Sequence, residues 1–251
     1  MTMKLGVLNA AAIAALISFG TPAGAATYVF SGNSAHDGPV QAQANFTLNS
    51  GSITITLTDL LANPTSAGQL VSGLIFNESG ANGSGNLTTV NSALVTTINT
   101  STNAYTAGVN DVLTRWKATE TGTAIKLTTL SGGNPDRLII GPDNANSLTG
   151  GGLYTNANAS IGGDNPNILG SATFTITIPG VTSLSTLSNV YFMFGTADDP
   201  YDLHIGTCIN CNTAVTETPI PAALFLFGSV LAGATGVGRR RKKQANRAIA
   251  A

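Results

Sequence analysis

The stretch Ser52-Ile53-Thr54-Ile55-Thr56-Leu57-Thr58 alternates without a break, with Ile53, Ile55 and Leu57 on one side and hydroxyls on the other. Thr173-Phe174-Thr175-Ile176-Thr177-Ile178 repeats the pattern. Successive side chains of an extended chain point to opposite faces, so a period of two predicts strands with one buried face. Phe46-Thr47-Leu48 followed by Asn49-Ser50-Gly51 predicts a hairpin leading into the first of them. Tyr28 to Phe30, Val71 to Phe76, Leu113 to Thr119, Ala124 to Leu130, Leu138 to Ile140 and Val190 to Phe194 complete the expected strands. Leu87, Val90, Leu94, Val95 and Ile98 have helical spacing, but Thr88, Thr89, Thr96, Thr97 and Thr100 lie among them. Branching at Cβ restricts χ1 in a helix, so this segment too is read as strand.

Turn residues separate these runs. Gly132-Gly133-Asn134-Pro135-Asp136, Gly150-Gly151-Gly152, Gly162-Gly163-Asp164 and Asp164-Asn165-Pro166 break the chain where a strand would not survive. The segment from Gly141 to Gly170 is expected to be mostly loop, and the place for any ligand contact. Many short strands, glycine-rich turns and no helical segment in the body predict an all-β fold, an antiparallel β-sandwich of jelly-roll-like type.

The two ends follow another pattern. Lys4 precedes an apolar run from Leu5 to Phe19, which ends in Thr21-Pro22-Ala23-Gly24-Ala25-Ala26. One positive charge, an apolar helix and a small-x-small site predict a secretory signal peptide over 1–25. Signal peptidase would cut after Ala25, read through Ala23 and Ala25, with Ala26 as the next choice. At the other end, Ile220 to Gly238 is 19 residues without a charge. A helix of that length spans about 28 Å, enough for the hydrocarbon core of a bilayer. Arg239, Arg240, Arg241, Lys242 and Lys243 follow at once, and such a cluster stays on the cytoplasmic side. The expected layout is therefore a signal helix (1–25), an exported β domain (26–216), a C-terminal tail with a transmembrane helix (217–243) and a cytoplasmic end (244–251).

Charge supports this layout. Of 11 Lys and Arg, Lys4 lies in the signal and six lie in the tail, leaving Arg115, Lys117, Lys126 and Arg137. All 12 acids fall between Asp37 and Glu217, so the exported part carries a net −8 although the whole chain is close to neutral. Nucleic-acid binding is not expected of it, because phosphate contacts need a basic face.

The tail carries a family likeness. Thr218-Pro219-Ile220-Pro221-Ala222-Ala223, then Leu224-Phe225-Leu226-Phe227-Gly228-Ser229, then a small-residue helix and the five cations, resembles a PEP-CTERM sorting tail. Ile220 stands where the usual motif has a Glu between its prolines. Parts of the body, among them Asn45-Phe46-Thr47-Leu48 and Phe192-Met193-Phe194-Gly195-Thr196, are similar to other proteins that carry this tail. The resemblance implies a Gram-negative, exopolysaccharide-making bacterium and an exosortase, a membrane transpeptidase that cuts near the proline motif. Pro219 and Pro221 cannot enter a helix interior, and they hold the backbone extended for a protease cleft to grip.

Candidate chemistry in the body is sparse. Cys208-Ile209-Asn210-Cys211 is the one cysteine pair. In an exported protein it is expected to be a disulfide, with a metal site that adds His204 and a redox pair as the other readings. Asp198, Asp199 and Asp202 cluster in one turn and could supply oxygens to Ca²⁺, with Asp143-Asn144-Ala145-Asn146 as a weaker version. Solvated turn acids are the plainer reading of both, and no other cofactor is expected. The two histidines, His36 and His204, leave few ways to build a nucleophilic relay. Glu78 and Glu120 stand alone where a glycosidase needs a facing pair. Trp116, between Arg115 and Lys117, is a core anchor or a platform for stacking a sugar.

The expected function is therefore that of a non-enzymatic structural or interaction protein of the cell surface or extracellular matrix, associated with exopolysaccharide and biofilm. It is anchored by its C-terminal helix until processed. A membrane-tethered carbohydrate-binding module and a carbohydrate-active enzyme are the alternatives.

Overall fold

In a computed structural model, the described residues are 24–81, 89–90, 93–106, 108–111, 113–130, 135, 137–150, 152–198 and 203–211. They form a mostly β structure and belong to one unit, which ends at Asn212. The first sheet has the order β17 (Thr207–Cys211), β1 (Gly24–Ser34), β2 (Gly38–Asn49), β3 (Ser52–Asp59), β14 (Ser171–Thr177), β5 (Thr89–Val90). In the second, β4 (Val71–Glu78) pairs with β11 (Ala124–Thr128) and with β15 (Leu187–Phe194). Beyond these lie β10 (Lys117–Thr121) and β16 (Leu203–Ile205). The same sheet continues from β4 through β12 (Ile139–Ile140), β13 (Asn167–Leu169), β6 (Ala93–Thr96) and β9 (Val109–Asp111). A small hairpin joins β7 (Ile98–Asn99) to β8 (Ala104–Tyr105).

The alternating segments build the first sheet. Val40, Ala42, Ala44, Phe46 and Leu48 of β2 and Ile53, Ile55 and Leu57 of β3 are all buried, and the residues between them are half-buried on the other face. The hairpin turns at Ser50-Gly51, with Asn49 opposite Ser52. Gly51 has φ 76°, a backbone conformation glycine takes without steric penalty. The turn is tied down, because Gly51 N–H donates to Val181 O at 2.8 Å and Ile178 N–H to Gly51 O at 3.0 Å.

One hydrophobic core joins the two sheets. Phe46 of the first meets Phe76 of the second edge-on, with ring centroids 5.1 Å apart. Trp116, just before β10, lies against Phe174 of β14 at 4.7 Å. Each such ring removes a large apolar area from water, about 1.5–3 kcal/mol for a fully buried Phe.

The body departs from the sequence expectation in several places, among them the unexpected strands β13, β16 and β17. The strand expected over Leu113 to Thr119 starts only at Lys117, because Leu113 and Trp116 are drawn into the core from irregular backbone. The sheets are not wholly antiparallel: β12 and β13 run parallel, with Ile139 opposite Ile168. Parallel neighbours need a long crossover, which the chain between them supplies. The segment from Gly141 to Gly170 is mostly loop, as expected, apart from β13 and one helical turn. It holds a short helix, α1 (Ala159–Gly163), capped by Asn158, whose Oδ1 accepts from Ser160 N–H.

Leu70, Leu138, Ile140, Tyr154, Ile161 and Leu169, with neighbours, form a second buried cluster beneath the crossover. Among the described residues no helix is long and apolar enough to cross a membrane. The expected signal helix and the expected helix over 220–238 lie outside the described residues.

Candidate functional site

The first candidate is the edge where the exported domain is expected to begin and end. β1 sits between β2 and β17, so Ala26 faces Phe46 on one side and Cys211 on the other. Thr27 pairs with Asn210 and Tyr28 with Cys208, with a bulge between Thr27 and Tyr28. Gly24 and Ala25 already belong to β1, opposite Leu48 and Thr47. A cut after Ala25 would leave the pairing of Ala26–Ser34 unchanged. Ala23 lies outside the described residues, as do Thr218, Pro219, Ile220, Pro221, Ala222 and Ala223, and the cations Arg239, Arg240, Arg241, Lys242 and Lys243.

Cys208 and Cys211 are joined in a disulfide within β17, with Cα atoms 5.7 Å apart. Cys208 packs on the main core, and Cys211 is exposed. Each sulfur is held by the other, so in this state neither is a thiolate able to ligate a metal. His204 lies in an aromatic cluster, stacked on Phe30 at 4.6 Å and edge-on to Phe194 at 5.6 Å.

Among the described residues no three His, Cys, Asp or Glu come together in a metal-sized group. Asp199 and Asp202 lie outside the described residues. Asp198 is ion-paired with Lys126 of β11, which reaches its Oδ2.

Asp143 is fully buried and structural. Its Oδ1 accepts from Ala145 N–H and Ser147 N–H at 2.9 Å each, and its Oδ2 accepts from Tyr105 Oη–H at 3.0 Å. A Cβ on Gly152 would fall 2.0 Å from that same Oδ2, so the loop is closed tightly around the carboxylate. The Tyr105 hydroxyl in turn accepts from Gly150 N–H at 2.9 Å. Burial pushes the Tyr105 phenol above its ordinary range. Tyr154, also pushed up by burial, donates to Gly141 O at 2.8 Å. Part of the crossover expected to present ligand contacts is thus packed inward around two tyrosines and one aspartate, while Asn144, Asn146, Leu148, Thr149, Leu153 and Asn156 on it are exposed.

In comparisons with known proteins, no family model, curated protein or solved structure matches this chain.

Trp116 is 2% exposed, and its Nε1–H donates to Arg137 O at 2.8 Å, so it anchors the core and offers no face to a sugar. Glu78 is buried at the end of β4, with its Oε2 accepting from Gly80 N–H at 2.8 Å. Glu120 lies on β10, opposite Ile125. His36 is exposed in the turn between β1 and β2.

One buried acid was not singled out from the sequence. Asp59 closes β3, and its Oδ1 accepts from Leu61 N–H at 2.9 Å. Its Oδ2 is buried with no hydrogen-bond partner among the described residues. Burial raises its carboxyl well above the usual range, against the opposing effect of backbone N–H groups at Leu61, Gly141 and Val71. A signal existed: Asp59 falls on the inward parity of Ile53, Ile55 and Leu57.

Proposed function

We propose that this chain is an exported structural or interaction protein of the cell surface or extracellular matrix, sorted by an exosortase-like transpeptidase and not acting as an enzyme. The observation that carries the reading is the tail: 19 uncharged residues from Ile220 to Gly238, preceded by Pro219 and followed by five cations. A greasy helix backed by such a cluster halts in the bilayer with its basic end inside. The same physics places the domain between signal and tail on the outer side. The resemblance to PEP-CTERM proteins adds the sorting enzyme and the polysaccharide-rich surroundings.

The body fits an exterior role. Its cysteines form a local disulfide, the form favoured outside the reducing cytosol. Three of the side chains weighed for chemistry are engaged in the fold: Asp143, a cation-ligand candidate, in its loop, Trp116, a sugar-platform candidate, in the core, and the acid Glu78 in a backbone turn. The shared core between the sheets supports a sandwich. The last described strand, β17, returns to close the first sheet beside β1.

Intact-mass measurement of the chain in its host, with and without the sorting enzyme, tests this. The expected mature form starts at Ala26 and lacks the basic cluster, and it keeps the cluster when the enzyme is deleted. A product that retains Met1 and Ala251 in the cytosol overturns the reading. A tail kept in both strains leaves a permanently tethered protein and removes the transpeptidase.

A further inference from the structure

Over β2, β3 and β14, the outward face of the first sheet is a grid of uncharged polar side chains in register. Across the strands β17, β1, β2, β3 and β14, the pairings align Asn210, Thr27, Asn45, Thr56 and Thr173 in one row. On one side of it runs Thr47–Thr54–Thr175, and on the other Gln43–Thr58–Ser171. Members of the central row touch: Thr27 Oγ1–H donates to Asn45 Oδ1 at 2.8 Å, and the Thr56 and Thr173 hydroxyls lie 3.0 Å apart. Neighbouring strands are about 4.8 Å apart, and alternate residues along a strand about 6.7 Å, so the hydroxyls and amides form a regular lattice.

Two observations set this face apart from an ordinary solvated sheet. The first is charge. In β1, β2, β3, β14 and β17 the one acidic or basic side chain is Asp59, which points into the core. Solvent faces of sheets normally carry Lys and Glu to keep copies apart. Here the domain over 26–216 has 4 basic and 11 acidic residues, a net −7, yet none of that charge stands on this face. The second is residue choice. Thr is a good strand former, and cross-strand Thr pairs stabilise a sheet, so propensity alone accounts for β3 and β14. It does not account for Asn45 in the middle of β2, where a β-branched residue would be the better strand former. The bond from Thr27 holds the Asn45 amide in a fixed place on this face.

We infer that this face docks an extended, uncharged polysaccharide. Each pyranose presents hydroxyls that donate and accept. An amide such as Asn45 can do both at once, and a Thr side chain offers a hydroxyl beside a methyl for the ring C–H groups. A sugar unit of an extended chain is comparable in length to the strand spacing, so successive units can meet successive strands. A polyanion would find no cation here, and a polycation no carboxylate. The inference deepens the matrix reading above and rests on it.

The test uses the full-length chain in mild detergent and insoluble neutral glucans, cellulose and curdlan, together with the neutral polysaccharide fraction of the host matrix. Retention on at least one of these is expected, and it should be unchanged between low and high salt, since no ion pair is involved. Replacing hydroxyl by methyl in Thr54→Val, Thr56→Val and Thr173→Val together keeps the β-branched shape and should weaken retention at least tenfold. The matching serine variant, which keeps the hydroxyls, should retain binding. Four outcomes overturn the inference: no retention on any neutral polymer, full retention by the valine variant, retention only on acidic alginate, or concentration-dependent self-association that the valine variant abolishes. The last would make a second copy the occupant. Failure to bind by a chain that is correctly exported sinks this face alone, whereas a chain found in the cytosol sinks the export reading whatever it binds.

Discussion

Ala26 and Cys211 face each other across the β1–β17 ladder, so the first residue expected in the mature chain lies beside the last residue of the final strand. That strand is an edge, held on one side by β1 and by its own disulfide.

Replacing Cys208 and Cys211 with Ser should leave the fold intact and loosen its last strand. Closing so short a loop constrains the unfolded chain by about 2 kcal/mol in the chain-entropy model. The loss should appear as faster hydrogen exchange at Thr207–Cys211, with little change in β2 and β3. Unchanged exchange in β17 would show that the ladder to β1 alone fixes it.

Trp116→Ala should destabilise the protein by roughly 3–5 kcal/mol in a denaturant titration, because it empties a core site and removes the indole hydrogen bond to the Arg137 carbonyl. Trp116→Phe should cost less. A loss of glucan retention without a loss of stability would mean that Trp116 acts on sugar after all.

Asp59 should make stability depend on pH. Its carboxyl is raised in the folded state, so the native protein holds this proton more tightly than the unfolded chain does. The proton is bound in both states at low pH and costs nothing there. As pH rises above the ordinary carboxylate value, the unfolded state releases the proton first, and stability falls until the folded carboxyl also ionises. Asp59→Asn should remove that slope and be more stable than the parent at neutral pH, as read from urea midpoints across pH 4 to 8. Equal slopes would place the dependence in other groups.

Tyr154→Phe deletes the hydrogen bond to Gly141 O and should cost about 1–3 kcal/mol. The effect should be local, with exchange rising over the crossover and not in β2 or β3. Uniform loss across both sheets would mean that the second cluster and the main core unfold as one.

Much of this was readable in the residues, for a physical reason. β2, β3 and β14 bury one face only, so alternation had to appear in their sequences, and it did. Where burial does not follow a period of two, the pattern misled. Leu113 and Trp116 are three apart and reach the core from irregular backbone, yet they sit in a run that looks like a strand. The crossover looked like open loop because glycines and asparagines dominate it. Tyr154, Ala157 and Ile161, spaced by three and four, were the overlooked sign that one side of it is buried. The outward lattice was half visible: the alternating hydroxyls were plain, but only strand register shows that Asn45, Thr56 and Thr173 share a row.

The meeting of Ala26 and Cys211 has a topological consequence. A domain whose two ends are neighbours on one edge can be spliced head to tail and reopened elsewhere, for instance at the Ser50-Gly51 turn, with no strand rerouted through the interior. Such a permuted chain would carry its attachment point at the hairpin tip while the lattice of hydroxyls kept its order.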